Sequence, residues 1–502
     1  MIEFSDEEAA LLTKYVSNLD KDIYVIYNLP PEVAAVLFAY YSRSPLSFRE
    51  NLLKLIRDKD IDVPSLTLAH QDQGFDFSRA KEKASKFHEK WVVGYGHSSV
   101  AEHASASVAI ENISMIATKI IEDNRLASYT EKSSRYQIFD KTRYYTPSRI
   151  KNSQYADLYK DTMDFLFNEY NRLIKKVSKC IITKYPKLTE ESEQHFKSVL
   201  KARTCDVCRY LLPAGTLTNL GMTANARTYE HAIKKFLSHE LKEVNLIGKQ
   251  IKAEVQKIIP TLVKYADNNK YMYETNKGME EYTSKLSLPA DTTKSVTLVK
   301  YDESAYDKAV TSILYRYSKS SYSEIDKLMK RMSIKEKENV LDKYLGKMGK
   351  YDYPMRELEH IYYTFDILVD FGAFRDIQRH RICTQTTQDL TNELGYSVPQ
   401  EIIESGFAED FKCCMKRANE AYEKVLKDFP KEAQYLIPLA YRKRVLITWN
   451  LRQLFHFIKL RSSREGHISY RRIAWQCFDE IRRVHPLFAK YLRVDKSQGP
   501  AR

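Results

Sequence analysis

The stretch Glu359-His-Ile-Tyr-Tyr-Thr-Phe-Asp-Ile-Leu-Val-Asp-Phe-Gly-Ala-Phe-Arg-Asp-Ile-Gln-Arg-His-Arg381 decides the fold. Ile361, Tyr363, Phe365 and Ile367 alternate with Tyr362, Thr364 and Asp366, the period of a strand with one buried face. From Asp370 the apolar residues take helical spacing, so the pattern predicts a strand leading straight into a helix. The helix runs out into Gln378 and the triplet Arg379-His380-Arg381. Arg keeps its proton, and its planar fork matches phosphate oxygens. The triplet is therefore either a grip for a phosphate-bearing ligand, such as a nucleotide, a dinucleotide or a nucleic-acid backbone, or a basic patch on a basic protein.

A second copy of the pattern lies earlier in the chain. Glu102-His103 precedes Ala104, Ala106, Val108 and Ile110, which alternate with Ser105, Ser107, Ala109 and Glu111, and a helical stretch then runs from Ile113 to Arg125. Further matches fall in the same order. Leu37–Arg43 resembles Leu314–Lys319, Arg209-Tyr-Leu-Leu-Pro213 resembles Gln434-Tyr-Leu-Ile-Pro438, and Asn225-Ala-Arg227 resembles Asn450-Leu-Arg452. Matches this far apart indicate a duplicated domain, not a solenoid. The spacing predicts a first half over residues 1–266, with an amphipathic helical insertion at about 150–200. A polar linker follows over 267–293, then a second half over 294–495 and a loose tail over 496–502.

Composition bounds the partners. The 502 residues are 43% hydrophobic and 12% aromatic, enough for large cores, and the formal net charge is +14. That balance favours polyanionic partners without choosing among them. With only 14 Gly, the chain holds neither G-x-G-x-x-G nor G-x-x-x-x-G-K-[ST], so the Rossmann and P-loop readings lack their glycines. No secretory signal opens the sequence and no apolar run is long enough for a bilayer. Seven Cys without a framework pattern suit a reducing cytoplasm.

The order of motifs resembles that of the flavin-dependent thymidylate synthases, the ThyX family. The family pattern is G-H-x-[ST]-x-x-E-H, then R-H-R with a Ser after seven intervening residues, N-x-R and a later L-R. Gly96-His97-Ser98-Ser99-Val100-Ala101-Glu102-His103 fits the first and Arg379-His380-Arg381 the second. Asn225-Ala-Arg227 and Asn450-Leu-Arg452 fit the third, and Leu460-Arg461 the fourth. The resemblance covers most of both halves apart from the insertion and the linker. It implies an α/β fold, with each half a sheet flanked by helices and the two repeats forming an intrachain pseudo-dimer. It also implies a homodimer of the chain, rebuilding a four-unit assembly.

Departures from the pattern sort between the halves. The second half keeps its triplet but has Asp389 in place of the Ser and Thr391 in place of an Arg two residues on, while the first half has Asp123-Asn124-Arg125 for the triplet yet keeps Glu131, Ser133 and Arg135 in register. Arg209 stands where the second half has Gln434, and Arg461 where the first half has Phe236. Identical subunits must carry identical parts, so such division of labour follows only from fusion. Either the halves are complementary, or one is a scaffold without chemistry.

The resemblance implies an enzyme making dTMP from dUMP. FAD would be the cofactor, methylenetetrahydrofolate the carbon donor and NADPH the reductant. Ser133, Arg135 and Arg209, with Glu131, are the implied substrate-binding set. Arg461 is implied at the uracil end, where a cation stabilises charge developing on a carbonyl oxygen, which makes it the catalytic candidate. His97, Ser99, Glu102, Arg379, His380, Arg381, Asn450 and Arg452 are the implied cofactor set. No Cys follows a Pro, so the Pro-Cys-His setting of the classical thymidylate synthase is missing. Cys205-Asp-Val-Cys208 lacks a second pair for zinc and reads as packing. Two alternatives stay open: a related flavoprotein acting on another pyrimidine nucleotide, and a non-catalytic nucleic-acid binder. The absence of an RNA-binding aromatic motif argues against the second.

Overall fold

In the computed structural model, which describes residues 4–21, 24–41, 46–57, 99–139, 143–187, 190–286 and 288–497, both alternating stretches are strands. The strands are β1 (Ser105–Ser114), β2 (Ala127–Glu131), β3 (Leu217–Asn225), β4 (Val296–Tyr301), β5 (Tyr362–Asp370), β6 (Thr384–Thr387) and β7 (Arg442–Asn450). On β5 the alternation reads directly as burial: Tyr363, Phe365 and Ile367 are buried while Tyr362 is exposed. The strands form a three-stranded sheet in the order β1-β3-β2 and a four-stranded one in the order β4-β5-β7-β6. Within each half the same element sits in the middle, β3 between β1 and β2, and β7 between β5 and β6. β2–β3, β4–β5, β5–β7 and β6–β7 all pair antiparallel.

Two compact units result. The first combines Met1–Ile113, Leu126–Glu131 and Thr218–Leu286, the second Ser114–Arg125, Lys132–Leu217 and Ser287–Arg502. In the first unit a small core gathers Leu12, Tyr15, Val16, Val33, Leu37, Phe48 and Leu52. In the second, Trp449 stacks on Phe457 with ring centroids 4.5 Å apart and meets Phe365 edge-on at 5.8 Å. Each such buried side chain contributes roughly 1.5–3 kcal/mol of transfer free energy.

The repeat is visible as matching backbone hydrogen bonds. Helix Met115–Ile121 starts where Met115 N donates to Thr216 O and Ile116 N to Ala214 O, and helix Phe371–Ile377 starts where Phe371 N donates to Tyr441 O and Gly372 N to Leu439 O. Side chains at matched positions satisfy the orphan N–H groups of these first turns. Ser114 accepts from Ala117 N and Asp370 from Ala373 N. Asn225 accepts from Thr228 N and Asn450 from Gln453 N. Inside the second unit the two copies bond to each other. Ala214 N donates to Ile437 O and Leu439 N to Leu212 O, while Gly215 N donates to Tyr435 O and Ala440 N to Tyr210 O. Swapping the copies leaves this set unchanged, so a local two-fold relates them.

The stretch expected as an insertion holds the helices Ser148–Lys151, Ala156–Lys184 and Glu193–Cys208. The long helix buries Tyr159, Leu166, Phe167, Tyr170 and Leu173 along one face. The polar stretch 267–293 is not loop throughout: Lys270–Thr283 is a helix capped by Asn269, with no buried residue. Without an apolar face its sequence gave no periodic signal, and its helicity rests on propensity and capping. The tail is fastened at its start, because Lys496 Nζ pairs with Asp479 at 2.6 Å and Arg471 Nη2 donates to Ser497 O at 2.9 Å. Among the described residues no helix is long and apolar enough to cross a membrane.

Candidate active site

Five chain segments of the second unit bring cations and carboxylates together. Helix Phe371–Ile377, set by its Asp370 cap, carries Asp376 in its last turn and delivers the Arg379-His380-Arg381 triplet just beyond. Helix Leu451–Ser462, started by Asn450, carries Arg461 in its last turn. Helix Glu193–Cys208 carries Asp206 in its last turn, and the 3-10 turn Arg209–Leu211 follows at once. The segment after β2 supplies Ser133 and Arg135. Helix Ile468–Val484 supplies Tyr470 from its first turn.

The charges alternate. Arg135 Nε donates to Asp206 Oδ1 at 3.1 Å, and Arg209 Nε lies 3.3 Å from the same oxygen. On its other side, Arg209 Nη1 is 3.7 Å from Asp376 Oδ2, while Arg461 Nη1 is 3.9 Å from Asp376 Oδ1. Each aspartate is thus shared between two guanidinium groups. Arg135 also donates from Nη1 to Tyr470 Oη at 3.3 Å and from Nη2 to the Glu465 carbonyl at 2.9 Å. Arg461 Nε donates to His380 Nε2 at 2.8 Å. Arg209 differs from its neighbours. Its side chain is 2% exposed, yet its Nε and Nη2 make no hydrogen bond.

Burial and charge set the protonation states. Burial foremost, then Arg461 and His456, holds His380 well below the ordinary imidazole value, so the ring is neutral. Because Nε2 accepts from Arg461, the proton of that neutral ring belongs on Nδ1. Burial works against the Asp206 carboxylate, but His467, Arg209 and Arg135 outweigh it and keep the group ionised. Burial likewise opposes the Arg209 charge, and Asp206 and Asp376 more than offset it. Tyr470 is shifted up by burial and stays a phenol.

The remaining sequence candidates fall in different places. Ser133 sits beside the cluster, its hydroxyl accepting from Arg135 N at 3.1 Å. Arg379 is exposed, and its charge acts on Arg461. Arg381 Nη1 donates to the carbonyls of Asn124 at 3.1 Å and Arg125 at 3.2 Å, and Arg125 Nη2 reaches Thr384 Oγ1 at 3.3 Å. The intact triplet is therefore bonded to its altered counterpart. Asn450 caps a helix, and Arg452 donates to the Pro354 carbonyl at 2.7 Å and to Glu359 Oε1 at 2.8 Å. The first unit keeps the matching ion pair, Arg227 with Glu102. Ser99 is the residue before the short turn Val100–Glu102 in that unit. Glu131 lies on β2 opposite Leu220, also in the first unit. His97 lies outside the described residues.

Sequence reasoning did not single out Asp206, Asp376 or Tyr470. Two of them carried a readable sign. Asp206 stands three residues before Arg209 and Asp376 three before Arg379, the spacing that puts side chains on one helical face. Cys205 and Cys208 are buried beside them, and burial pushes the Cys205 thiol up to about 11.

The family model for thymidylate synthase complementing protein matches residues 58–261 and 297–487. A UPF0159 protein of Chlamydia muridarum is 36% identical over 515 residues, covering 99% of this chain and 96% of that protein. A flavin-dependent thymidylate synthase of Clostridium tetani is 26% identical over 189 residues, covering 37% of this chain and 72% of that protein. Among solved structures, ThyX from Helicobacter pylori complexed with FAD and dUMP covers 40% of this chain and all of its own, at 23% identity and a TM-score of 0.30.

Proposed function

The chain belongs to the thymidylate synthase complementing protein family, ThyX, and on that premise we propose that it makes dTMP from dUMP, with bound FAD, methylenetetrahydrofolate as carbon donor and NADPH as reductant. Arg209 is the observation that carries this reading. A buried cation with donors left unmade costs about 1–3 kcal/mol, and more when charged. An anion that accepts from Nη2, with Nε still against Asp206, would turn that cost into binding energy. The phosphate of dUMP is such an anion, and it needs several donors. Arg135 and the Ser133 hydroxyl stand beside Arg209 to supply them through charge-assisted bonds.

The other groups take consistent roles in this reading. Arg461 meets the uracil end, where its charge stabilises an oxyanion as C5 becomes nucleophilic. Neutral His380 holds Arg461 by accepting from Nε, which leaves the Nη groups to face substrate and Asp376. Asp206 and Asp376 keep the three arginines apart and oriented before substrate arrives. Bound FAD would take hydride from NADPH, pass it on in its reduced form and mediate the carbon transfer. For that cofactor the fitting donor is Arg379, an exposed cation beside Arg461, with His380 and Arg381 behind it. Asn450, Arg452, His97, Ser99, Glu102 and Glu131 join the site by resemblance to the family pattern. Two chains would pair to rebuild the four-unit assembly of the family.

The test is a visible spectrum of the purified, FAD-loaded protein during titration with dUMP. A flavin spectrum that shifts saturably with dUMP supports the reading. Flavin without a dUMP response redirects it to another pyrimidine nucleotide. Failure to retain flavin at all removes the enzyme reading and favours nucleic-acid binding.

A further inference from the structure

The matching backbone bonds pair each residue of the arginine cluster with one position in the other copy. Counting from the bonded partners, Arg135 corresponds to Thr391, Ser133 to Asp389, Asp206 to Lys431 and Arg209 to Gln434. Arg461 corresponds to Phe236. A perfect duplication would therefore hold two phosphate sites per chain, related by the local two-fold. The mirror positions of the second unit are instead satisfied among themselves. Lys431 Nζ donates to Asp389 Oδ2 at 2.9 Å, so the one cation gained there is answered by the one carboxylate gained there. Gln434 is buried, its Oε1 accepting from Leu390 N at 3.1 Å and its Nε2 donating to the Lys431 carbonyl at 3.3 Å. None of these positions carries a guanidinium, whereas the cluster has three, one of them with two unmade hydrogen bonds. Asp389 stands where the hydroxyl donor would be and would repel a phosphate dianion directly.

We infer that each chain has a single nucleotide site, with the phosphate at Arg135 and Arg209 and the uracil end at Arg461, and that its mirror, closed by Asp389–Lys431 and Gln434, takes no phosphate. The inference rests on the proposed function, which supplies the phosphate ligand. Equilibrium dialysis of the full-length, FAD-loaded protein against radiolabelled dUMP counts the sites. One equivalent per chain is expected. Two equivalents overturn the single-site inference and leave the proposed function standing. None overturns the proposed function, and the inference with it. Two variants make the assignment specific. Arg209→Gln, which copies the mirror residue, is expected to abolish all dUMP binding; an equivalent surviving at unchanged affinity would assign it to the mirror and overturn the inference. Gln434→Ala is expected to retain one equivalent with affinity within about twofold, and loss of bound dUMP there would equally overturn it.

Discussion

Glu359–Arg452 and Glu102–Arg227 are the same ion pair kept in both copies, whereas Arg209 and Gln434 are the same position with different chemistry. The contrast makes each half a control for the other. Features kept twice are those the backbone needs: the helix caps Asn225 and Asn450, the ion pair that ties each helix start to the segment before its strand, and the paired Tyr-Leu-x-Pro segments. Features present once are not needed by the backbone pattern itself, because the other copy forms that pattern without them. By that measure the proposed function falls on Arg135, Arg209, His380 and Arg461, while the N-x-R segment has a structural use in both copies whatever else it does.

Arg209 gives the strongest way to break this comparison. Arg209→Gln removes a buried cation flanked by Asp206 and Asp376, so it should destabilise the chain by about 3–5 kcal/mol as well as erase the dUMP response. Gln434→Arg would bury a cation and also destabilise, whereas Gln434→Ala, which leaves Leu390 N without its acceptor, should cost less, about 1–3 kcal/mol. Thermal melts of the three variants decide it, and comparable losses for Arg209→Gln and Gln434→Ala would erase the distinction. Next in size is Arg461→Phe, again copying the mirror. Turnover should fall about 10²–10³-fold with a smaller change in KM, which steady-state kinetics separate.

His380 sharpens the comparison through pH. Its folded state disfavours the proton, so the unfolded chain binds more protons below the ordinary imidazole value of about 6.5. Stability should therefore be full above that pH and decline as pH falls through it. Its counterpart Asn124 cannot titrate, so His380→Asn should make the decline shallower when urea midpoints are compared at about pH 5.5 and 7.5, with His456, His467 and His485, also pushed down by burial, keeping the remainder. The smallest effect belongs to the shared ion pairs. Both are partly exposed, so Arg227→Ala and Arg452→Ala should each cost about 0.2–1 kcal/mol, and by like amounts. A loss of flavin with Arg452→Ala alone would move that residue from architecture to the cofactor site.

Much of this was legible in the sequence because the relevant patterns are local. The strand-to-helix stretch around Asp370 shows its period within a dozen residues, and the duplication shows in motif order. The cluster was legible only in part. Its cations stood out against the family pattern, but Asp206 and Asp376 read as ordinary polar residues of a charged protein. Their roles arise from partners brought together by tertiary structure, as Asp206 meets Arg135 and Asp376 meets both Arg209 and Arg461. Asn450 and Arg452 show the reverse difficulty. Resemblance gave them a ligand, while an Asn directly ahead of an apolar-periodic run is also a helix cap, which is where the structure uses it.

The hydrogen bonds that join Tyr210–Gly215 to Tyr435–Ala440 also set a timetable for synthesis. At roughly 5–20 residues per second, the ribosome needs on the order of 10–50 s to travel from one partner to the other. Until then Leu212 and Ala214 have no mate, and Arg209 has Asp206 but not Asp376. The nascent first half must wait as an incomplete body with an open edge, the state in which an aggregation-prone intermediate is most exposed to chaperones or to a neighbouring copy of itself.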